Sequence, residues 1–343
     1  MLWRCPSSAV TPTQDGEHAR MLTMASELAA ATAASPAGTA GSQQPVQQAE
    51  PPLFPLASFL KKALEGGATA VPRIRVVDVG AMILSDAEDI WRPLLRRGLC
   101  ESVVGFEPNA DECERLNSST PSGSGCCFRF LPWALGDGSI GQLRRCTAPM
   151  TSSLLEPNIP LLRRFVQLEE VTTVVHRSEI HTKRLDDVLP DLPGARVDFL
   201  KLDVQGYEHA VLRGAKHALQ SVLVLHTEVE FVEMYEQQPL FAEVDQLLRA
   251  AGFVFHRFAS LHGRPVKPLH FKANPLQPIS QQIWADAVYV RDLWDLRSHS
   301  REDLLRTALI LHEIYHAYDV VHHVLHKFNA DVAKQYLDLM QVV

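Results

Sequence analysis

The chain has 343 residues, enough for one large domain with additions or for two smaller ones. It is 46% hydrophobic and 21% charged, the balance of a globular protein, and its formal net charge of −7 gives no global positive field for phosphate backbones, so nucleic acid is not an expected partner. Six cysteines without a C-x-x-C pair or disulfide-framework spacing read as reduced thiols in a cytoplasmic compartment, and no run approaches the ~20 apolar residues that cross a bilayer.

Residues 1–52 are rich in Ala, Ser, Thr, Gln and Pro. Such a segment buries too little surface to offset its ordering entropy and is expected to be a disordered tail. Residues 53–65 suggest an opening helix, stopped by Gly66-Gly67. RIRVVDVGA (73–81) is a short apolar run ending in Asp and Gly, the pattern of a buried parallel strand. A helix is expected over 86–98, a strand over 101–109, a helix over 110–117 and a strand over 127–135. After an irregular stretch come a strand at 196–204, a helix at 206–219, a strand at 221–231 and a helix at 239–253. Strands over 254–260 and 285–291 close the pattern. Strands alternating with helices mean βαβ units, a mostly parallel sheet and helices on both faces. The expected organisation is a tail (1–52), one α/β domain (53–295) and a C-terminal helical extension (296–343).

Open α/β sheets bind ligands at the carboxyl ends of their strands. Four strands end in an acid there: Asp78 before Gly80, Glu107 before Pro108, Asp137 after Ala134 and Gly136, and Asp203 before Gly206. Neither G-x-G-x-x-G nor a P-loop is present, so the edge suits a nucleoside ligand without a phosphate cradle. Glu107 can accept both hydroxyls of a ribose. Glu228 and Glu230 alternate on the next strand and are expected on opposite faces, only one reaching the pocket.

DFLKLDVQGYEHAVLRGA (198–215) resembles the signature of FkbM-type methyltransferases, I-K-x-D-V-E-G-x-E-x-x-V-L-x-G. VVDVGA, GFEPN, ALGD, TSSLLEPN (151–158), TKRLDDVL (182–189) and EVEFVEMYEQQPLF (228–241) are similar to that family's blocks in the same order. The resemblance implies a Rossmann-like class I fold and S-adenosylmethionine as cofactor. It also implies transfer of a methyl group, often to a hydroxyl of a metabolite, sugar or glycan. It implies cofactor contacts from Asp78, Gly80, Ala81, Glu107, Pro108, Ala134 and Asp137, with Asp203 beside the transferred methyl as the catalytic candidate, and no metal. Two departures stand out: the first loop, AMILSDAED, lacks the usual glycine pair, and Gln205 replaces the glutamate of D-V-E-G. A non-catalytic S-adenosylmethionine-binding module is therefore the alternative.

LHEIYHAYDVVHHVLH (311–326) contains H-E-x-x-H at His312, Glu313 and His316, a zinc-protease spacing when it lies on one helix. The glycine that lets the longer form of the motif turn is here Asp319, and the upstream sheet is already assigned, so a zinc hydrolase is only a remote alternative. On an unbroken helix His312, His316, Asp319, His323 and His326 would form one stripe. That stripe reads as a solvated or interfacial face, with a homodimer through the C-terminal helices expected.

Overall fold

The structure, a computed structural model, describes residues 54–65, 69–82, 89–118 and 125–340; the tail expected over 1–52 lies outside them. The strands are β1 (Ile74–Val79), β2 (Cys100–Phe106), β3 (Cys127–Leu131), β4 (Ile140–Cys146), β5 (Val174–His181), β6 (Phe199–Leu202), β7 (Val224–Glu230), β8 (Phe253–Gly263) and β9 (Gln282–Arg291). Seven of them form one sheet in the order β3-β2-β1-β6-β7-β9-β8. The first five run parallel, and β9 is antiparallel to both β7 and β8. This is the Rossmann-like α/β sheet expected. Strand order reverses between β1 and β6, which opens the ligand crevice at their carboxyl ends.

Period-two alternation divides the apolar residues between two layers. Val77, Val79, Val104, Leu200, Leu225 and Ala287 pack with Leu185, Val211, Leu212, Val244 and Leu248. Those side chains come from α6 (Leu185–Val188), α7 (Glu208–Arg213) and α8 (Phe241–Ala250). On the opposite face Ile74, Val76, Phe199, Val224, Val288 and Val290 meet α1 (Leu56–Ala63), α9 (Arg301–Glu313), α10 (Tyr318–Phe328) and α11 (Ala330–Met340). The C-terminal helices thus pack directly on the sheet and share its hydrophobic cluster.

Several expectations change in detail. The helix expected over 86–98 is described only as α2 (Arg92–Arg96), because residues 83–88 lie outside the described set. The helix expected over 206–219 ends at Gly214, where a Cβ would stand 2.0 Å from the Gly136 carbonyl oxygen. The stretch read as irregular folds into the antiparallel pair β4–β5 and two one-turn helices, α4 (Ile159–Leu162) and α5 (Leu168–Val171). The remaining helix, α3 (Ala110–Ser118), packs Cys113 and Leu116 against Ala81 and Phe130.

The histidine stripe does not form. The helix breaks between Glu313 and Tyr318, with His316 at φ +51°. His312 is fully buried rather than solvated, its ring nitrogens 2.8 Å from the Phe54 carbonyl oxygen and 3.1 Å from the Tyr336 hydroxyl. Glu313 accepts from the Leu56 backbone N–H at 2.8 Å and pairs with Arg97 at 3.3 Å. Among the described residues no three His, Cys, Asp or Glu side chains group as metal ligands.

Candidate functional site

The face covered by the C-terminal helices changes character along its strands. On β1 it carries Ile74 and Val76, then Asp78; on β6, Phe199 and then Lys201. On β7, Val224 is followed by His226, Glu228 and Glu230, and Asp286 of β9 pairs opposite Glu228. The amino-terminal half of the face is therefore core, and the carboxyl-terminal half is charged. The charged half lies at the crevice.

Lys201 sits at the centre. Its Nζ lies 3.2 Å from Asp78, 3.7 Å from Asp203 and 3.1 Å from the Gly80 carbonyl oxygen. Burial opposes its charge, but Asp78 and then Asp203 overcome that and hold its pKa above the ordinary lysine value. Asp78 is 1% exposed, and its second oxygen accepts from Trp91 Nε1 at 2.9 Å. Both of its oxygens therefore have protein partners, and it supports the crevice from below. Asp89, beside this group, is pushed up to about 6 by burial and then by Asp78.

Gly80 adopts φ +79°, and a Cβ there would stand 1.8 Å from the Asp203 carbonyl oxygen. The missing side chain thus admits the β6 turn, at a position for which the family resemblance implied a cofactor contact. Ala81 is buried against α3, its N–H donating to the Phe106 carbonyl like that of Gly80. Glu107 is 7% exposed at the end of β2, with half-buried Pro108 beside it. One carboxylate oxygen accepts from the Asn109 backbone N–H at 2.8 Å. Burial outweighs that hydrogen bond and pushes the group up to about 7. A buried carboxylate with one donor retains acceptor capacity for two hydroxyls.

At the β3 end, Trp133 stacks on Phe106 with the Lys183 Nζ 3.8 Å from its ring centroid. Ala134 is buried, its carbonyl taken by the Lys183 N–H. Asp137 turns toward Arg213 at 3.6 Å and the Ser139 N–H. Asp78, Gly80 and Asp203 are thus brought together around Lys201, with Glu107 close enough to feel its charge. Ala134 and Asp137 frame a separate wall.

After β6 the chain turns through Gln205 at φ +55° and Gly206 at φ +90°. The Gln205 amide donates to Asp203 at 3.0 Å and to Glu228 at 2.7 Å, and its oxygen accepts from the Tyr235 hydroxyl at 3.3 Å. Glutamate at this position would add a third carboxylate between two others, so the neutral donor suits its neighbours. Glu208 closes the turn from beneath, accepting from the Val204 N–H at 2.7 Å, and burial pushes it up to about 7. Glu228 and Glu230 share one side of β7, since residues two apart on a strand face the same way, which corrects the expectation of opposite faces. Burial first, then Asp203 for Glu228 and Glu208 for Glu230, holds both well above the usual carboxylate range. Asp203 differs: its side chain is 41% exposed.

Behind Glu228, Asp286 lies 3.5 Å from His226, whose other ring nitrogen is 3.1 Å from the Tyr315 hydroxyl. Although partly buried, Asp286 is held well below the usual carboxylate range by His226, His262 and Ser260. Sequence reasoning missed Lys201, Glu208 and this Asp286–His226–Tyr315 chain. The signal for Lys201 was present in LKLD, where a lysine on the strand two residues before an acid at its end points toward the same face.

A seven-stranded sheet whose order reverses between β1 and β6, with acids at the carboxyl ends of its strands, defines a Rossmann-like α/β protein. Within that class the chain belongs to the FkbM methyltransferase domain family, which matches residues 78–255, just over half of it. Methyl transfer is that family's chemistry. Among solved structures, the chain is similar to one chain of a Haloferax volcanii complex between the Trm112 methyltransferase activator and a methyltransferase. The identity is 11% over 68% of this chain and 88% of that one, with a TM-score of 0.30, too low to carry a conclusion. No curated protein matches the chain.

Proposed function

We propose that this protein transfers the methyl group of S-adenosylmethionine to a hydroxyl of a small metabolite, sugar or glycan. The observation that carries the cofactor reading is Glu107, a buried carboxylate with one backbone donor, at the strand end next to the switch point. A vicinal ribose diol offers the two donors that would complete it. When bound, S-adenosylmethionine supplies a methyl carbon on a cationic sulfonium, open to in-line attack. Lys201 and Asp78 brace the crevice floor, and Trp133 offers an aromatic wall beside Ala134 and Asp137.

Exposure supports Asp203 as the acid that meets the acceptor. Glu230 is buried and Glu228 half-buried, and both are held well above the usual carboxylate range, whereas Asp203 is open to the crevice and held by Gln205 and Lys201. As a general base it would take the acceptor's proton as the new O–C bond forms. Most of the rate would come from holding the acceptor oxygen in line with the methyl. A hydroxylated acceptor also suits an edge lined mainly by hydrogen-bond acceptors.

Calorimetric titration of S-adenosylhomocysteine into the protein tests this reading. Binding is expected, and Glu107→Ala should weaken it about ten-fold or more, or ~1.4 kcal/mol. In the wild type, affinity should fall as pH drops below about 7, because Glu107 then takes up the proton that binding must expel. Failure of the folded protein to bind would overturn the assignment.

A further inference from the structure

The segment joining β8 to β9 concentrates exposed apolar surface. Of the eleven exposed large hydrophobic side chains among the described residues, five lie here: Leu261, Val266, Leu269, Phe271 and Ile279, with Leu269 70% exposed. The same segment, residues 261–282, contains Arg264, Lys267 and Lys272 and neither Asp nor Glu, in a chain of formal charge −7. Lys272 is exposed, Lys267 shares its charge with Glu170 at 3.4 Å, and Arg264 lies over the Trp284 ring at 5.1 Å.

The segment is anchored. The Val166 N–H donates to the Pro265 carbonyl, the Lys267 N–H donates to the Arg164 carbonyl, and Phe165 bridges to Val266. It leaves the sheet beside the acids of the crevice, since Trp284 pairs with Glu230 on one side and His262 on the other. Five exposed large apolar side chains concentrated on one anchored segment mark a contact with something outside the chain.

Charge decides what that contact is. A second copy pairing through this same acid-free segment would set lysine against lysine. Apolar tips interleaved with cations match a lipid–water interface, where the tips enter the acyl boundary and the cations meet anionic headgroups. We propose that the 261–282 hairpin docks the protein peripherally on a bilayer surface carrying anionic lipids, with Leu269 and Phe271 as the inserted side chains. This goes beyond the methyl-transfer reading and does not rest on it. If both hold, the crevice edge faces the interface, and the acceptor hydroxyl is one that a membrane presents.

Flotation of the full chain with phosphatidylcholine vesicles, with and without phosphatidylserine, tests the docking without cofactor or acceptor. The wild type is expected to float with the anionic vesicles and to be released by high salt. Leu269→Asp combined with Phe271→Asp should cut the bound fraction about ten-fold or more, and Lys272→Glu by several-fold, with unfolding midpoints unchanged. Three results would overturn the proposal: no flotation with anionic vesicles, equal flotation with neutral ones, or flotation that neither variant weakens. A dimer that the double substitution dissociates, in a protein that ignores vesicles, would instead assign the surface to self-association.

Discussion

Two stretches of this chain carry acids and nitrogen bases at spacings that suggest chemistry, and the fold treats them in opposite ways. In 312–316 the polar atoms are turned inward: His312 is occupied by Phe54 and Tyr336, and Glu313 by Leu56 and Arg97. In 203–208 buried Glu208 and the half-buried Gln205 amide hold a turn that leaves Asp203 open. A spacing that fits a catalytic motif becomes a site only if the fold leaves a reactive group open to a ligand, as it leaves Asp203. The first stretch ties the N-terminal helix to the C-terminal ones, and the second presents an acid at the switch point.

The sharpest separation should come from turnover. Asp203→Asn is expected to lower kcat by about 10²–10⁴-fold while leaving S-adenosylhomocysteine affinity within a few-fold, measured by product release and calorimetry. Unchanged turnover would remove Asp203 from the reaction and erase the contrast.

His312→Ala should do the reverse, costing about 2–4 kcal/mol of stability through a cavity and lost hydrogen bonds with cofactor affinity retained. Burial lowers the His312 pKa from 6.5 to about 4. The unfolded chain therefore binds more protons in that window, and the stability due to the neutral ring is lost as pH falls from 6.5 through 4. In urea titrations the gap between wild type and variant should narrow by up to about 3 kcal/mol toward pH 4. Glu107 works with the opposite sign: its raised pKa makes the unliganded protein lose stability as pH rises from 4.5 to about 7.

The smallest expected effect is that of Gln205→Glu. Replacing the donor with an acid between Asp203 and Glu228 should cost about 1–2 kcal/mol at neutral pH, recovered on acidification as the new carboxyl protonates and donates. A pH-independent cost would show that the amide's hydrogen bonds are not what matters there.

The parts of the fold that were legible in the sequence are those where the apolar pattern is strong. The runs ending at Asp78, Glu107 and Asp203 are buried on both faces, so they read as parallel strands with acids at one edge. β4 and β5 were missed because they are mostly exposed or half-buried and mix charge with apolar residues. The break after Glu313 has no Gly or Pro to announce it; His316 takes a left-handed conformation that few residues other than glycine adopt. At the site, residue identities were readable but partnerships were not. Nothing in LKLD says that Lys201 reaches across to Asp78, because that pairing depends on the β1–β6 register. Likewise, the role of Gly80 became clear only once the Asp203 backbone lay against it.

The layer formed by α9, α10 and α11 sets an order of events during synthesis. The strands it covers, β1, β6, β7 and β9, all leave the ribosome before residue 301, while the helices that bury Ile74, Val76, Phe199 and Val224 come from residues 301–340. Until then that apolar face is open, and α1 also waits, because the Leu56 N–H finds its partner only in Glu313. The nascent chain therefore carries an uncovered sheet face until its last helices emerge, the state in which chaperone capture and aggregation compete with folding.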